Sequence, residues 1–373
     1  MILHHFGNEG TIYEGDAIEV LRGFEDETAD MIFADPPYYL QLGNELRRPD
    51  ESRVSSVSDE WDHFSSFGDY DSFTLAWLGE CRRVLKPEGT IWVIGTYHNI
   101  FRIGRCLQDL GFWILNDVIW LKSNPMPNFR GRRFTNAHET LIWAKKSKDS
   151  GYTFNYWDMK SLNDDLQMRS DWLLPVCSGS ERIRDGGKRA HSTQKPAALL
   201  HRVILSSTKP GDIVLDPFLG SGTTAVVAQS LGRKWIGIER DASYVRLSAR
   251  RINDLSSRRM SSETAPSLSP HPSRRDAGRV SFGNLVESGF LLPGQFVFSR
   301  SGDKKAMVNA DGSVSVNGSR GSIHKLSAEM LGRERANGWD YWFFYEGDEL
   351  VSIDVLRSRY RELIARHDNI RGR

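Results

Sequence analysis

The sequence predicts an α/β fold with a mostly parallel sheet, followed by a small C-terminal domain that mixes helix and strand. Three observations carry this. Short apolar runs alternate with helix-like segments over the first two thirds of the chain, the pattern of parallel strands joined by crossover helices. Two of those runs end in an aspartate followed by proline, at the strand ends where such sheets bind ligands. After about residue 254 the composition shifts to Ser, Pro and Arg before signals of order return.

The elements follow in order. Thr11 to Tyr13 reads as a short strand ending at Gly15-Asp16. Met31 to Ala34 is a buried-strand run, stopped by Asp35-Pro36-Pro37. Apolar residues from Leu75 to Leu85 recur with helical spacing. Pro87-Glu88-Gly89 reads as a turn before a strand from Thr90 to Ile94. Ile114 to Leu121 and Glu139 to Ala144 are further strands. Ile213 to Leu215 and Trp235 to Ile238 complete the set, with a helix from Thr223 to Leu231 between them. Leu255 to Arg279 reads as a flexible, somewhat basic linker. Beyond it, Phe282-Gly283, Leu291 to Gly294, Ala310 to Ser313 and Asn337-Gly338 punctuate short apolar runs as turn pairs do.

Bulk properties exclude several classes. The 373 residues include 39% hydrophobic side chains, enough for a core, with no apolar run long enough for a membrane span. Met1 to His5 does not begin a signal peptide, so a soluble cytoplasmic protein is expected. The 49 basic and 48 acidic residues give none of the basic excess of many DNA-binding domains, though balance can hide local basic clusters. Cys81, Cys106 and Cys177 are widely spaced and form no C-x-x-C pair, which speaks against a disulfide framework or a cysteine zinc site. His138-Glu139 lacks a second histidine at zinc spacing, so no metal is expected.

Asp35-Pro36-Pro37-Tyr38 follows a buried strand directly. An isolated D-P-P is a strand-ending turn. With the aromatic residue after it, these four suit the activation of an aromatic amine. Such an amine is a poor nucleophile because its lone pair is delocalised into the ring. Acceptors at its N–H groups favour pyramidalisation, and Asp35 with the Pro36 carbonyl can be those acceptors. Tyr38 can stack on a base flipped from a duplex.

Asp216-Pro217-Phe218-Leu219-Gly220-Ser221-Gly222-Thr223-Thr224 also follows a strand and opens a helix. Glycines let backbone approach a ligand, and unpaired N–H groups at a helix start favour an anionic group such as a carboxylate. Glu239 ends the next strand about 20 residues on, where an acid can bond ribose hydroxyls. The site is Rossmann-like, which keeps a dehydrogenase open as a remote alternative. The third glycine of G-x-G-x-x-G is replaced by Ala225, and no Walker A lysine follows.

Together, D-P-P-Y and then D-P-F-L-G-S-G-T-T resemble the amino-methyltransferases of DNA, in the permuted order called the β group. The resemblance implies a Rossmann-like S-adenosylmethionine-dependent methyltransferase fold. It makes Asp35, Pro36, Pro37 and Tyr38 catalytic. Around the cofactor it sets Asp35, Asp216, Pro217, Phe218, Gly220, Ser221, Gly222, Thr223, Thr224, Glu239 and the neighbouring Arg240. His191-Ser192-Thr193-Gln194-Lys195-Pro196 is similar to the family's H-P-T-Q-K-P element, which contacts the methionine end of the cofactor and adds His191, Thr193, Gln194 and Lys195. Gly15-Asp16 resembles the motif whose aspartate faces the cofactor adenine, adding Asp16 and Ala17. Asp35, where cytosine-N4 enzymes have Ser, implies adenine N6.

Phe33 to Leu42, Trp92 to Phe101, Lys122 to Phe129 and Gln167 to Trp172 look like the cell-cycle-regulated adenine methyltransferases of alphaproteobacteria. Gly321 to Lys325 and Asn337-Gly338-Trp339 fit that family's appended RAMA domain. This likeness implies a solitary homodimeric enzyme that methylates GANTC in double-stranded DNA. It also implies a division into a catalytic domain (1–254, with inserted DNA-recognition segments at about 122–190), the linker (255–279) and a DNA-binding C-terminal domain (280–373). Two positions depart from the family: Tyr39 stands where Asn is usual, and Ser192 where Pro is usual.

Candidate DNA contacts fall in polar, basic loops. One follows the first motif, with Tyr39, Gln41, Leu42, Arg47 and Arg48; a second carries Asn124, Pro125, Asn128, Arg130, Arg132 and Arg133. Arg169 joins them, as do Ser322, His324, Lys325 and Trp339 in the C-terminal domain. The plainer reading of these loops is solvated surface. The aromatic run Trp339 to Tyr345 reads mostly as a small core, with one or two rings available for stacking. Open alternatives are cytosine N4 or RNA adenine as the target, and a catalytically silent DNA-binding regulator.

Overall fold

The computed structural model describes residues 2–39, 46–47, 53–54, 62–126, 128, 132–163, 166–177, 182–185, 188–189, 194–260 and 280–368. The chain forms two compact units. The first comprises Met1–Phe154, Arg169–Pro196 and Ser207–Ile252; the second comprises Asn155–Met168, Ala197–Ser206 and Asn253–Arg373.

The first unit begins with β1 (Ile2–Phe6), β2 (Gly10–Glu14), α1 (Ala17–Arg22) and β3 (Ala29–Ala34). A two-residue ladder of β4 (Leu46–Arg47) and β5 (Arg53–Val54) precedes α2 (Phe67–Val84), β6 (Leu85–Gly95), α3 (Ile100–Asp109), β7 (Trp113–Lys122) and β8 (His138–Lys145). Helix α4 (Tyr156–Leu162) belongs to the second unit, and β9 (Asp171–Leu174), β10 (Arg184–Asp185) and β11 (Lys188–Arg189) return to the first. Then come α5 (Ala197–Ser207), β12 (Ile213–Asp216), α6 (Thr223–Ser230), β13 (Lys234–Glu239) and α7 (Ala242–Met260). Nine strands make one sheet in the order β1-β2-β13-β12-β3-β6-β8-β7-β9. The run β2-β13-β12-β3-β6 is parallel throughout, while β8 is antiparallel to both neighbours. The apolar run Met31 to Ala34 is buried along its whole length, as a central parallel strand must be. Trp77, Leu78 and Cys81 of α2 and Ile103 and Leu107 of α3 pack into the same core as β3 and β6.

Three local expectations change. Pro87 to Gly89, read as a turn before the strand, lies in a bulge within β6, because pairing jumps from Ala29↔Leu85 to Met31↔Thr90. Pro87, which has no N–H to give a ladder, is tolerated there. Helix α7 runs through Met260, six residues into the segment read as linker. That stretch holds no proline, and its arginines are good helix formers. Residues 261–279 lie outside the described residues. Phe282-Gly283 is not a turn but the start of a helix opened by a Ser281/Asn284 capping box.

The C-terminal segment of the second unit has α8 (Phe282–Glu287), β14 (Phe296–Ser299), β15 (Lys305–Val308), β16 (Val314–Val316), β17 (Ser319–Gly321), α9 (Ile323–Leu331), α10 (Gly338–Tyr341), β18 (Trp342–Glu346), β19 (Glu349–Ser352) and α11 (Ile353–Asp368). Its strands form one antiparallel sheet, β17-β16-β15-β14-β18-β19. Trp339, Trp342 and Phe344 of the aromatic run are core, and Tyr345 is exposed. Helices α4 and α5 are built into this unit. Gly283 packs so closely on α4 that a Cβ there would lie 2.3 Å from the Leu162 carbonyl oxygen. From α5, Arg202 forms a bidentate pair with Glu287 at 2.8 Å on both arms, and both side chains are buried.

Removing one partner of a buried pair strands the other charge, at about 3–5 kcal/mol. Glu287→Ala is therefore expected to lower unfolding stability by that order. Replacing both with apolar residues of similar volume (Arg202→Met with Glu287→Leu) should recover most of the loss. Denaturant titration of the three proteins checks this; equal loss in single and double variants contradicts it.

Candidate active site

The carboxyl ends of four adjacent parallel strands, β2, β13, β12 and β3, carry Asp16, Glu239, Asp216 and Asp35 respectively. Two motifs that lie about 180 residues apart in sequence therefore meet on one edge, as expected of ligand sites in open α/β sheets.

Asp35 is held on both carboxylate oxygens. The Tyr38 hydroxyl donates to Oδ1 at 2.8 Å, and Lys195 Nζ donates to Oδ2 at 2.7 Å. The Tyr38 hydroxyl also lies 3.2 Å from Glu139 Oε2. Glu139 is paired with Lys122 at 2.7 Å and lies 3.8 Å from Lys195. Lys195 stands over the Tyr38 ring, 5.2 Å from its centroid. The Pro37 carbonyl accepts from the Tyr70 hydroxyl at 2.9 Å and from Asn99 Nδ2 at 3.4 Å. That fixes the turn, while no donor to the Pro36 carbonyl is found among the described residues. Burial pushes the Asp35 carboxyl up, against the pull of Lys195. Burial works the same way on Glu139, but Lys195 and Lys122 together overcome it and hold the group below its usual range. Burial and the two carboxylates raise the Tyr38 phenol well above normal, so it stays a neutral donor. Burial pushes Tyr70 up to about 12.

The second motif is a cradle. Asp216 Oδ1 accepts from Phe218 N at 2.9 Å and Oδ2 from the Thr224 hydroxyl at 2.6 Å. Glu239 Oε2 accepts from Gly220 N at 2.8 Å, and Oε1 from Asp241 N at 2.7 Å. Gly222 takes φ +77, and a Cβ there would lie 2.7 Å from Ser248 Cβ, so only glycine fits. Pro217, Ser221 and Thr223 are buried, and Phe218 packs edge-on against Trp77. Arg251 of α7 reaches back to the Ser221 carbonyl at 2.9 Å and Thr223 Oγ1 at 2.8 Å. Asp16 caps α1 by accepting from Ile18 N and Glu19 N, beside buried Ala17. Gly15 N donates to the Glu239 carbonyl at 3.0 Å, so Asp16 and Glu239 are neighbours. Arg240 is exposed. Gln194 is buried and accepts from Ile183 N at 3.1 Å; His191 and Thr193 lie outside the described residues.

Charge decides what this cradle can hold. Burial raises Asp216 to about 7, with Asp35 and Glu239 adding to the rise, and burial raises Glu239 as well. Neither Asp216 nor Glu239 has an ion-pair partner among the described residues. An excess of buried negative charge beside a glycine loop fits a ligand that brings cationic groups, as the sulfonium and ammonium of S-adenosylmethionine do.

The expected DNA contacts are scattered. Tyr39 takes φ +51, gives its N–H to Asp62 at 2.6 Å, and sets its ring among Phe64, Phe67 and Tyr70. Arg47 lies in β4; Gln41, Leu42, Arg48 and Arg130 lie outside the described residues. Asn124 accepts from Val176 N at 2.9 Å. Pro125 and Asn128 are half-buried, and Arg132 is exposed. Arg133 is exposed and donates to the Tyr97 hydroxyl at 2.9 Å. Arg169 pairs with Asp171 at 2.7 Å. In the second unit, Ser322 caps α9, His324 accepts from Gly338 N at 3.0 Å, and Lys325 is exposed. Trp339 lies under Arg357 at 4.5 Å. It lines a cavity of about 360 Å³ with Ser322, His324, Asn337 and Arg357.

Sequence reading missed Glu139, Lys122, Tyr70, Asn99 and Arg251. Glu139 and Lys122 sit at the ends of neighbouring strands, and a lone acid at the mouth of an apolar strand was their one signal. Among the described residues no cluster of metal-ligating side chains occurs.

Comparison with known proteins identifies the family. Residues 29–250 match the family described as DNA methylase, and residues 262–366 match the one described as Restriction Enzyme Adenine Methylase Associated. The type II methyltransferase M.HinfI of Haemophilus influenzae is 48% identical, over 94% of this chain and 96% of its own. The PvuII DNA methyltransferase, described as cytosine-N4-specific, is 24% identical with a TM-score of 0.50, covering 68% of this chain and 96% of that one, and shares its fold. The M1.HpyAVI–SAM complex is 29% identical with a TM-score of 0.49, covering 65% of this chain and 98% of that one.

Two predictions follow from the site. A carboxylate raised to about 7 is protonated below that pH and charged above it. Affinity for S-adenosylmethionine should therefore rise up to about tenfold from pH 6 to pH 8, and Asp216→Asn should weaken binding and flatten the profile; calorimetric titration at a series of pH values reads both. At position 39 the left-handed backbone costs tyrosine about 1–2 kcal/mol, while its three aromatic pairs return about 0.5–1.5 kcal/mol each. Asn tolerates that backbone but has no ring, so Tyr39→Asn should be destabilising by up to about 3 kcal/mol and lower the melting temperature by up to about 10 °C; a rise in melting temperature rejects this account.

Proposed function

The chain belongs to the N6/N4 DNA methylases, and from that premise we propose that it methylates the adenine of GANTC in duplex DNA after flipping that base from the helix. It is a DNA methyltransferase of the adenine-N6 group that uses S-adenosylmethionine. The observation that carries the proposal is the contact between the target-base motif and the His191–Pro196 element. Lys195, from the cofactor element, donates to Asp35 of the target-base motif at 2.7 Å, and Asp35 in turn raises Asp216 in the cofactor cradle.

The bound cofactor supplies an electrophilic methyl group on a sulfonium. The protein's own part is positioning and electrostatics. Asp35 and the Pro36 carbonyl accept the N–H groups of the exocyclic amine, which localises the lone pair on nitrogen. The Tyr38 ring stacks on the flipped base, held by its hydroxyl between Asp35 and Glu139. Asp216, Glu239, Asp16, Gln194 and the loop Gly220 to Thr224 hold the cofactor. Burial keeps water from the nitrogen and has already raised Asp35 towards accepting its proton.

GANTC rests on the likeness of Phe33–Leu42, Trp92–Phe101, Lys122–Phe129 and Gln167–Trp172 to the cell-cycle-regulated enzymes. That likeness extends the proposal to a homodimer acting in the cytoplasm without a cognate nuclease. In the described residues no helix is long and apolar enough to cross a membrane. The catalytic domain is assigned to residues 1–254. Residues 280–373 are assigned to DNA binding, with support from the match over 262–366 and from the cavity under Arg357. The exposed Arg132, Arg133 and Lys325 are the side chains best placed to meet phosphates.

Nucleoside mass spectrometry of duplexes incubated with protein and cofactor tests this. N6-methyladenine is expected on a GANTC duplex and not on one with that site scrambled. Asp35→Ala should slow the reaction by about a hundredfold to a thousandfold. Equal methylation of both duplexes removes the GANTC assignment; N4-methylcytosine removes adenine.

A further inference from the structure

Asp35 must accept the N–H of an incoming amine, yet both of its oxygens are engaged, by Tyr38 at 2.8 Å and by Lys195 at 2.7 Å. An ammonium that close draws electron density from the very oxygen the amine needs, and a carboxylate so paired polarises the amine less. Glu139 offers a way out. It stands near the start of β8, buried, with Oε2 3.2 Å from the Tyr38 hydroxyl and 3.8 Å from Lys195 Nζ. Both groups that occupy Asp35 thus already have a second acceptor in reach. Its other oxygen is fixed by Lys122 from the adjoining strand β7 at 2.7 Å. The cluster holds two carboxylates and two ammonium groups, so a shift of Lys195 between acceptors leaves its net charge unchanged. The cluster stays neutral through such a shift, and the N–H groups of the incoming amine replace the donors that Asp35 gives up, which limits the cost of leaving a buried charge without its ion pair.

We propose that Glu139 is a positioning residue for the methyl transfer: it draws Lys195 and the Tyr38 hydroxyl away from Asp35 as the exocyclic amine enters, which leaves Asp35 to accept the amine. This rests on the reading of Asp35 as the amine acceptor. In the transfer, the nitrogen lone pair forms the N–C bond, the C–S electron pair stays with sulfur, and the proton released by nitrogen passes to Asp35 and on to solvent. Glu139 makes and breaks none of these bonds. Lys122 acts one step further out, by keeping Glu139 aimed and charged.

The test is Glu139→Gln in the full-length protein, which keeps the shape and the acceptor but removes the charge. Binding is measured without cofactor on two GANTC duplexes, one with adenine at the target position and one with purine, which lacks the 6-amino group. The variant should lose about tenfold in affinity for the adenine duplex relative to the purine duplex, the worth of a hydrogen bond to a charged group. Its single-turnover methylation rate should fall at least as far, with purine binding unchanged. Lys122→Met should move the adenine-to-purine ratio in the same direction by less, and it decides the matter if Glu139→Gln does not fold. Equal losses on both duplexes, or an unchanged ratio, overturn the proposal. A wild-type protein that binds the duplex but forms no N6-methyladenine overturns the function reading instead.

Discussion

Everything at the active edge depends on burying four charges at once. Asp35, Glu139, Lys122 and Lys195 are each largely removed from water, where a single unpaired ion is costly. They are tolerable together because they neutralise one another, with the Tyr38 hydroxyl bridging the two acids. The four come from the end of β3, the ends of β7 and β8, and the segment before α5. Pairing them therefore ties distant parts of the chain to one point. The same pairing sets the chemistry, since Lys195 offsets part of the rise that burial imposes on the Asp35 carboxyl.

The cofactor side is arranged in the opposite way. Asp216 is buried and Glu239 half-buried, each with hydrogen-bond donors but without an ion-pair partner among the described residues. Acids and cations are paired at one end of the edge, and the acids lack cationic partners at the other. A cationic ligand is drawn to the second, and an amine with polarisable N–H groups suits the first. Parallel strands β13, β12 and β3 are adjacent, so the two ends lie side by side. That adjacency is what a direct transfer between two bound molecules needs.

Close backbone approach and a buried ion pair help to hold the second unit. Gly283 and Gly312 come so near the Leu162 backbone and each other that side chains there would collide, and Arg202 and Glu287 are buried as a pair. Helices α4 and α5 thereby belong with the C-terminal segment. Helix α5 begins two residues after Lys195.

The sequence alone determined the α/β class and the order of the two motifs. Those features are local: an apolar run followed by D-P-P-Y or by D-P-F-L-G-S-G-T-T carries its own strand, turn and helix start. Only the tertiary structure decided the partners of Asp35. Glu139 and Lys122 lie about a hundred residues from Tyr38 and carry no motif. Their role arises because β7 ends and β8 begins beside the residues that follow β3. The sequence likewise could not show that Lys86 to Gly89 bulges within β6, since a bulge depends on the partner strand's register. Nor could it assign α4 and α5 to the second unit. A motif records which groups a site needs; which charges are buried together is fixed by which strand ends the folded sheet brings to one edge.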